Sequence, residues 1–491
     1  MFSDASNNFA IDEIIVKEYC LNHPLVFSTL ENSSLQLLNS YKIIPEYLNQ
    51  NFNRQRHTFN SINESFDGES FLVESIRIAR DGCLTITDPF YGEHISSNDM
   101  VTAPSEPWPV VPVYGFRFST ADKNYYRLYI GHTICQEIGF FFPEIGLVIV
   151  NPMTSINWVK SFVESWRIYV LSNHSKISNL LLKSIEQKPV VLIMNSHFAH
   201  NYWNELAFVE ALVNNNLHKN VAFICRSSPL GRLSDIFQEI SFDQVTDFNS
   251  DFSSFYSALI DNSSYCIPCG RRFIPQSLRE RVIKYALNKN SHIDKDFKYL
   301  KKNHFPIIWL SLRTDARTWI NQEDGIPTLL NELYKKWPNM AVLIDGTSYS
   351  EASSTSSSTS STTINERELL SKILKKLTVN LVIVDLIGLK LTESFYWMQA
   401  ANLYITPHGT IQHKIGWFTS IPGVVHCGEN LRKEVEINNH FATFKAAEGS
   451  IAPSYVFGDV ARDDNIDLRG DMYSYNLAWG KILEKVNNIQ L

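Results

Sequence analysis

A strand that ends in a polar, glycine-containing turn lies in the C-terminal half of the chain. Residues 402–406 form a short apolar run typical of a buried parallel strand, and the turn after it holds His408, Gly409 and Thr410. Apolar residues then recur at helical spacing, which predicts a helix that begins at this turn. Glycine allows close approach to the backbone, and the free N–H groups at a helix start suit a phosphate. With His413 one turn further on, these residues predict a phosphate-binding site, unless the histidines only cap an ordinary strand-to-helix turn.

Two arginines follow another predicted strand of the same half. Arg313, Asp315 and Arg317 come directly after the apolar run 307–312. Guanidinium groups present paired donors to phosphate oxygens, so two arginines four residues apart could bind a diphosphate. The alternative is a structural network in which the arginines pair with nearby carboxylates, namely Asp315, Asp324 or Glu323.

Further residues that could line the same edge follow two other predicted strands: Asp345 and Gly346 after 341–344, and Gly388 after 381–384. The carboxyl ends of parallel strands meet at one edge of a sheet, where open α/β folds bind ligands. We therefore expect these residues, the arginines and His408 to converge on one crevice.

A histidine-rich segment follows the predicted strand 189–194. His200 and Asn204 lie four residues apart and would share one face of a helix. A histidine titrates near neutral pH and can remove a proton from a hydroxyl, and a carboxylate can orient it or replace it. His197, His200 and Glu205 are therefore candidate catalytic residues; the alternative is that they form the capped start of an ordinary helix.

The order of predicted elements indicates an α/β protein with two parallel sheets, because from about residue 165 strands alternate with helices. The predicted divisions are a helical segment (1–60), a β-rich segment (61–164), a first Rossmann-like domain (165–290), a second Rossmann-like domain (300–440) and a tail with a returning helix (441–491). Finer expectations are a strand within 71–78, a Ser/Thr-rich surface loop over 353–363 and a helix over 475–486.

Composition restricts the possible partners and compartments. The chain has 491 residues, 44% of them hydrophobic, and a formal net charge of −7, so we expect a globular protein that does not bind nucleic acid. Its seven cysteines are thinly spread, and we interpret Cys266 and Cys269 as small core residues. The acidic N-terminal stretch does not resemble a signal peptide, which favours a cytoplasmic location, with at most peripheral contact at the inner face of the membrane.

The two sites together resemble glycosyltransferases of the GT-B type. HFAHNYWNEL is similar to the histidine- and aspartate-bearing segment of glycosyltransferase family 61 and its bacterial relatives, although Glu205 stands where an aspartate is usual. The stretches LSLRTDARTW and ANLYITPHGTIQHKIGW are similar to the C-terminal half of that family. The resemblance covers roughly residues 190–430, and it implies two facing Rossmann-like domains with an N-terminal helical and β-rich extension.

The resemblance implies an inverting transferase that moves a sugar from a nucleotide-sugar to a hydroxyl of a bacterial surface glycan or glycolipid precursor. No cofactor and no metal are expected, because arginines can neutralise the departing diphosphate. Two alternatives stay open. One is a metal-dependent hydrolase that uses the four histidines His197, His200, His408 and His413. The other is an inactive carbohydrate-binding protein that keeps the GT-B shape.

Overall fold

The computed structural model describes residues 25–29, 38, 40–56, 69–97, 99–106, 108–120, 123–152, 154–177, 189–248, 251–352, 360–433, 446–461 and 472–491. The chain forms two compact units, and each is described by itself. Unit 1 comprises Met1–Ser227 and Phe237–Arg272, and unit 2 comprises Ser228–Ile236 and Phe273–Leu491. The β-rich segment and the first parallel sheet thus share one unit, and the chain enters unit 2 at Ser228, returns to unit 1 at Phe237 and passes to unit 2 again at Phe273. Most of the expected N-terminal helical segment lies outside the described residues.

Unit 1 is built from twelve described strands: β1 Val26–Thr29, β2 Leu84–Thr87, β3 His94–Ser97, β4 Asp99–Pro104, β5 Pro112–Ser119, β6 Asn124–Ile130, β7 Gln136–Phe142, β8 Leu147–Val150, β9 Pro189–Ile193, β10 Ala222–Cys225, β11 Val245–Asp247 and β12 Tyr265–Ile267. Six of them form a largely antiparallel sheet in the order β1-β8-β7-β6-β5-β4, and β2 pairs with β3. The other four form a parallel sheet in the order β11-β10-β9-β12.

The helices of unit 1 cover these sheets. They are α1 Pro45–Arg56, α2 Glu69–Asp81, α3 Ile156–Ser172, α4 Phe198–His200, α5 Ala207–Asn214 and α7 Phe252–Asp261; helix α6, Leu233–Ile236, belongs to unit 2. A π-helical segment, Asn201–Leu206, joins α4 to α5. Val159, Phe162 and Trp166 of α3 pack into the apolar core beside the larger sheet, so this helix buries one face of the β-rich segment.

Residues 71–78 were predicted as a strand and are part of helix α2, so this prediction was wrong. The buried positions of α2 include Phe71, Ser75 and Ile78, which recur at spacings of three and four residues. That period is helical, and only one face of the segment is apolar enough to pack.

Unit 2 contains one seven-stranded sheet. Its strands are β13 Ile307–Ser311, β14 Ala341–Asp345, β15 Val382–Asp385, β16 Leu403–Pro407, β17 Gly423–Gly428, β18 Ser454–Ala461 and β19 Ser474–Asn476. They run in the order β15-β14-β13-β16-β17-β18-β19, and all neighbours are parallel except β18 and β19. Numbered along the chain, the six parallel strands have the 3-2-1-4-5-6 order of the Rossmann fold. The α/β class with parallel sheets is therefore confirmed.

Described helices of unit 2 are α6 Leu233–Ile236, α8 Gln276–Lys289, α9 Asp294–Asn303, α10 Gln322–Lys336, α11 Ser361–Lys376, α12 Leu391–Met398, α13 Thr410–Gly416 and α14 Trp479–Asn487. Apolar residues of α10, α11 and α14 pack with β13, β14 and β16 in one core. Two local predictions need correction. The expected tail helix begins only at Trp479, because residues 474–476 pair with β18 as strand β19. The end of the Ser/Thr-rich stretch is helical from Ser361, with Ser360 as N-cap, while residues 353–359 lie outside the described residues.

Candidate functional site

The sheet of unit 2 has its topological switch point between β13 and β16. Chain connections leave these two strands in opposite directions, and the strands pair directly through Leu310 and Ile405. Ligands of open α/β sheets bind at the carboxyl ends of strands at such a point. Arg313 follows β13 there, and His408 follows β16.

Two guanidinium groups meet over Gly409. A Cβ atom built on Gly409 would lie 2.9 Å from Nη1 of Arg317 and 3.2 Å from Nη1 of Arg313. The glycine has φ 119°, a conformation that side chains rarely adopt. The absence of a side chain at Gly409 thus lets both arginines lie against the turn between β16 and α13, which places two positive charges at the switch point.

The partners of Arg313 keep it at this edge. Its Nε donates to Oδ1 of Asp315 at 2.6 Å, and its Nη1 donates to the backbone oxygen of His408 at 3.4 Å. The Asp315 side chain is 57% exposed, so this ion pair lies at the surface. The expected alternative of a structural pair is therefore realised with Asp315. Asp324 and Glu323 instead bind Lys376.

Arg317 adopts a strained backbone conformation. Its φ is 63°, in the left-handed region that non-glycine residues seldom occupy. Its N–H donates to the backbone oxygen of Met472 at 3.1 Å, and its Nη2 contacts Sδ of the same methionine at 3.3 Å. Strain of this kind persists where the surrounding structure imposes it, often at ligand sites. Here it accompanies a guanidinium group held over Gly409.

The other residues predicted to line this edge of the sheet have varied surroundings. His408 is only 6% exposed, and its backbone N–H donates to His426 at 2.9 Å. Thr410 is the first residue of α13 and is half-buried. The His413 ring stacks on Trp417 with centroids 4.3 Å apart. Helix α13 has only seven residues, so we regard the two arginines, and not the N-terminus of this helix, as the main positive feature at this edge.

Asp345 lies beneath the edge in a buried ion pair. Its carboxylate is fully buried, accepts from Ser311 Oγ at 3.2 Å and pairs with Lys414 of α13. Burial raises the pKa of Asp345, and the neighbouring Lys414 opposes that rise. Gly346 and Gly388 shape the backbone beside this pair: a Cβ on Gly346 would meet Glu366 at 2.5 Å, and Gly388 has φ 78°.

In unit 1, two histidines lie at the carboxyl end of β9, the strand between β10 and β12. The ring centroids of His197 and His200 are 5.2 Å apart. Surrounding protein lowers the pKa of His197 to about 4, with a contribution from His200, and burial lowers the pKa of His200 as well. Both rings therefore favour the neutral form, which can accept a proton.

Glu205 is fully buried in the π-helical segment rather than at the surface of the edge. One carboxylate oxygen accepts from the backbone N–H groups of Met194 and Asn195, at 2.9 and 3.0 Å, and from Nδ1 of His132 at 2.5 Å. The other oxygen accepts from Nδ2 of Asn201 at 2.9 Å. These contacts tie the start of the histidine segment to the end of β9.

Three residues of these sites were not among the predicted site residues. His132 lies between β6 and β7, and nothing in the sequence connects it to Glu205. Asn204 is fully buried beside His200, and its only signal was the shared helical face. Lys414 lies three residues after Ile411 and four before Phe418, so a lysine within an apolar helical stripe was a detectable signal.

The two sets of histidines in the hydrolase alternative come from different units, His197 and His200 from unit 1 and His408 and His413 from unit 2. Within the described ranges, no group of three or more His, Cys, Asp or Glu side chains is arranged to hold a metal ion. Cys266 and Cys269 are buried free thiols, which confirms their interpretation as core residues. No helix in the described part of the chain combines the length and apolarity needed to cross a bilayer.

Comparison with known proteins gives no family. No family model matches the chain, so the resemblance to glycosyltransferase family 61 stays a prediction. A search of curated proteins also finds no match.

Solved structures that align with the chain include sugar-nucleotide proteins. A Listeria monocytogenes protein assigned as a UDP-N-acetylglucosamine 2-epimerase is 11% identical, with 49% of this chain and 79% of that chain aligned at TM-score 0.30. The Neisseria meningitidis UDP-GlcNAc 2-epimerase bound to UDP-GlcNAc is 13% identical over 48% and 66% of the two chains, at TM-score 0.20. MnaA of S. aureus with UDP is 14% identical over 52% and 61%, at TM-score 0.22. Scores of this size carry no argument about function.

Proposed function

We propose that this chain is a nucleotide-sugar-dependent glycosyltransferase. The observation that carries the proposal is the convergence of Arg313 and Arg317 on Gly409 at the switch point of a Rossmann-ordered sheet. In this proposal the two guanidinium groups bind the diphosphate of the donor, which carries about the same charge as two arginines can neutralise.

The arginines would contribute to catalysis as well as to binding. When the bond between the sugar and the diphosphate breaks, negative charge grows on the departing phosphate oxygen. Fixed positive groups directed at that oxygen stabilise the transition state more than the ground state. This role requires no metal ion. Asp345 and Lys414 form a buried ion pair beneath the edge, so we propose that they support the edge and do not contact the donor.

We propose His200 as the proton acceptor for the acceptor hydroxyl, with His197 beside it. The hydroxyl oxygen attacks the anomeric carbon, its proton passes to His200, and the bond to the diphosphate breaks with its electron pair on the leaving group. A single displacement of this kind inverts the anomeric centre. We assign Glu205 to holding this segment, since its oxygens already accept several hydrogen bonds. The proposed acceptor is a hydroxyl of a bacterial surface glycan or of its lipid-linked precursor.

A thermal-shift screen tests the proposal. The purified chain is heated with UDP, GDP, CMP and their common sugars, each with and without EDTA, because a ligand that binds only the native state raises the unfolding temperature. We expect one nucleotide to raise it by several degrees, with or without EDTA. The nucleotide-sugar identified in this way is then incubated with bacterial glycan and glycolipid fractions, and release of free nucleoside diphosphate is measured.

Two outcomes would contradict the proposal in different ways. If no nucleotide raises the unfolding temperature and EDTA lowers it strongly, the metal-dependent hydrolase would be favoured. Binding of a nucleotide-sugar with no transfer to any fraction would favour the inactive carbohydrate-binding alternative.

A further inference from the structure

The amide of Asn204 lies between a histidine and a backbone carbonyl. Its Nδ2 donates to the backbone oxygen of Arg271 at 2.6 Å, and its Oδ1 lies 3.1 Å from Nδ1 of His200. The Asn204 side chain is fully buried, and all three residues belong to unit 1. Asn204 therefore connects the catalytic candidate to the chain that follows β12.

These contacts determine which nitrogen of His200 carries the proton. The Arg271 oxygen only accepts hydrogen bonds, so the Asn204 atom that faces it must be the amide nitrogen. The Asn204 oxygen then faces His200, and because this oxygen also only accepts, Nδ1 of the histidine must be the donor. In a neutral imidazole that protonates Nδ1, the lone pair is on Nε2.

We infer that Asn204 is a positioning residue that holds His200 in the Nδ1–H tautomer, so that Nε2 is the atom that accepts the proton of the sugar acceptor. The inference rests on the proposed transfer reaction, and it adds the residue and the atom through which His200 acts.

The surroundings of His200 agree with this role. Burial lowers its pKa, which keeps the ring neutral near pH 7 and leaves Nε2 available. Titratable groups near it include His197, whose ring centroid is 5.2 Å away, and Glu205, whose charge opposes the lowering of its pKa. Glu205 is the next residue after Asn204 in the π-helical segment, and its bonds to Met194 and Asn195 fix that segment against β9. π-Helical turns recur at functional sites, where they redirect side chains that a regular helix would present elsewhere.

Nitrogen NMR of the protein labelled with ¹⁵N-histidine tests the inference, because the two ring nitrogens have different shifts in each tautomer. The His200 signals are assigned by their loss in His200→Gln. We expect a neutral Nδ1–H ring in the unsubstituted protein at pH 7.5. Nε2–H as the main tautomer would overturn the inference, and this measurement needs neither substrate nor a variant of Asn204.

Two substitutions separate positioning from a structural role. Asn204→Asp keeps an acceptor for Nδ1 but cannot donate to Arg271, whereas Asn204→Leu loses both contacts. We expect Asn204→Asp to keep the Nδ1–H tautomer and to raise the pKa of His200, because an opposite charge favours the imidazolium. As the pH is lowered, this variant should therefore lose its activity at a higher pH than the unsubstituted protein does. We expect Asn204→Leu to lose the preference for the Nδ1–H tautomer. Its transfer rate should fall about 100-fold.

If Asn204 only anchored Arg271, the two variants would behave alike, since neither can donate to that carbonyl. Equal tautomer populations and equal rates in Asn204→Asp and Asn204→Leu would therefore contradict positioning. An Nδ1–H ring in a protein that transfers no sugar would contradict the proposed function alone. An Nε2–H ring in an active transferase would contradict the role of Asn204 alone.

Discussion

The carboxyl edges of the two parallel sheets both place polar residues after strands, but the two sets of side chains are held differently. At β9 the polar groups are buried and bound to backbone: Glu205 accepts from Met194 and Asn195, and Asn204 donates to Arg271. At β13 the two arginines are half-buried, and Arg313 pairs with the mostly exposed Asp315. Similar sequence patterns therefore mark an edge of buried, backbone-bound groups in unit 1 and an edge of half-buried arginines in unit 2.

Under the proposed function, this difference separates residues that hold a site from residues that meet a ligand. A buried carboxylate with several donors contributes to stability, and its loss should affect folding first. An arginine with one exposed partner can exchange that partner for a phosphate at little cost. The two edges should accordingly respond to substitution in opposite ways, one through unfolding and the other through affinity.

The largest effect should follow loss of Glu205. Glu205→Ala leaves two backbone N–H groups and His132 without their buried acceptor, and we expect a loss of about 3–5 kcal/mol in the free energy of unfolding. Urea denaturation measures this loss. Glu164→Ala is the control, because that carboxylate is part of a surface pair with Arg167. Equal stability of the two variants would show that the unit 1 edge does not depend on Glu205.

A second stability effect should arise beneath the unit 2 edge. Lys414→Met leaves Asp345 as a buried carboxylate without its cation, at an expected cost of about 3 kcal/mol at pH 7. The variant should raise the pKa of Asp345 further above that of the unfolded chain. Its deficit should therefore be largest at neutral pH and should shrink as the pH falls towards 4, because protonation removes the unpaired charge.

Urea denaturation of Lys414→Met at several pH values gives this profile, with Lys335→Met as the control because Lys335 is 70% exposed. A deficit that grows on acidification would mean that Asp345 is not the group left unpaired.

A smaller effect, on affinity, should follow a methyl group at Gly409. In Gly409→Ala the added Cβ would meet the Nη1 atoms of Arg317 and Arg313, which can move because they end flexible side chains. The displaced guanidinium groups should bind the nucleotide about tenfold more weakly, although no charge is removed. Isothermal titration calorimetry measures the change. Gly82→Ala is the control, since Gly82 also has a positive φ, 75°, and a Cβ there meets no atom within 4 Å. Unchanged affinity in Gly409→Ala would show that the two arginines do not bind the nucleotide.

The smallest effect should be a gain in affinity. Asp315 occupies Arg313 in the structure, so a phosphate must displace it. Because exposed ion pairs contribute about 0.2–1 kcal/mol, Asp315→Ala should tighten nucleotide binding by up to about fivefold. The same titration measures this gain, and weaker binding in Asp315→Ala would show that Asp315 supports the site instead of competing for it.

Much of unit 2 could be predicted from sequence, because buried parallel strands are continuous apolar runs. Strands β13, β14 and β16 were placed to within a residue, and the positions of Arg313 and His408 followed from them. Strand β19 was missed, since its pairing with β18 depends on tertiary structure that a local pattern does not contain.

The internal contacts of the sites were less predictable. His132 reaches Glu205 across 73 positions of the chain, and only the folded sheet brings them together. The burial of Glu205 also could not be read from its type, because a carboxylate after a strand is equally compatible with a ligand contact. Lys414 is the case that more careful reading could have found, as a charge within an apolar stripe.

Affinity for the nucleotide selected by the thermal-shift screen tests the central claim most directly. It is measured by isothermal titration calorimetry in EDTA for the unsubstituted chain, for Arg313→Ala with Arg317→Ala, and for Lys335→Ala as a variant that also loses exposed positive charge. We expect the double substitution to weaken binding by about 100-fold or more, since hydrogen bonds to charged groups contribute about 1.5–3 kcal/mol each, with unchanged unfolding temperature. Lys335→Ala should bind as the unsubstituted chain does. Equal affinity in all three proteins would contradict the assignment of the arginine pair as the donor site.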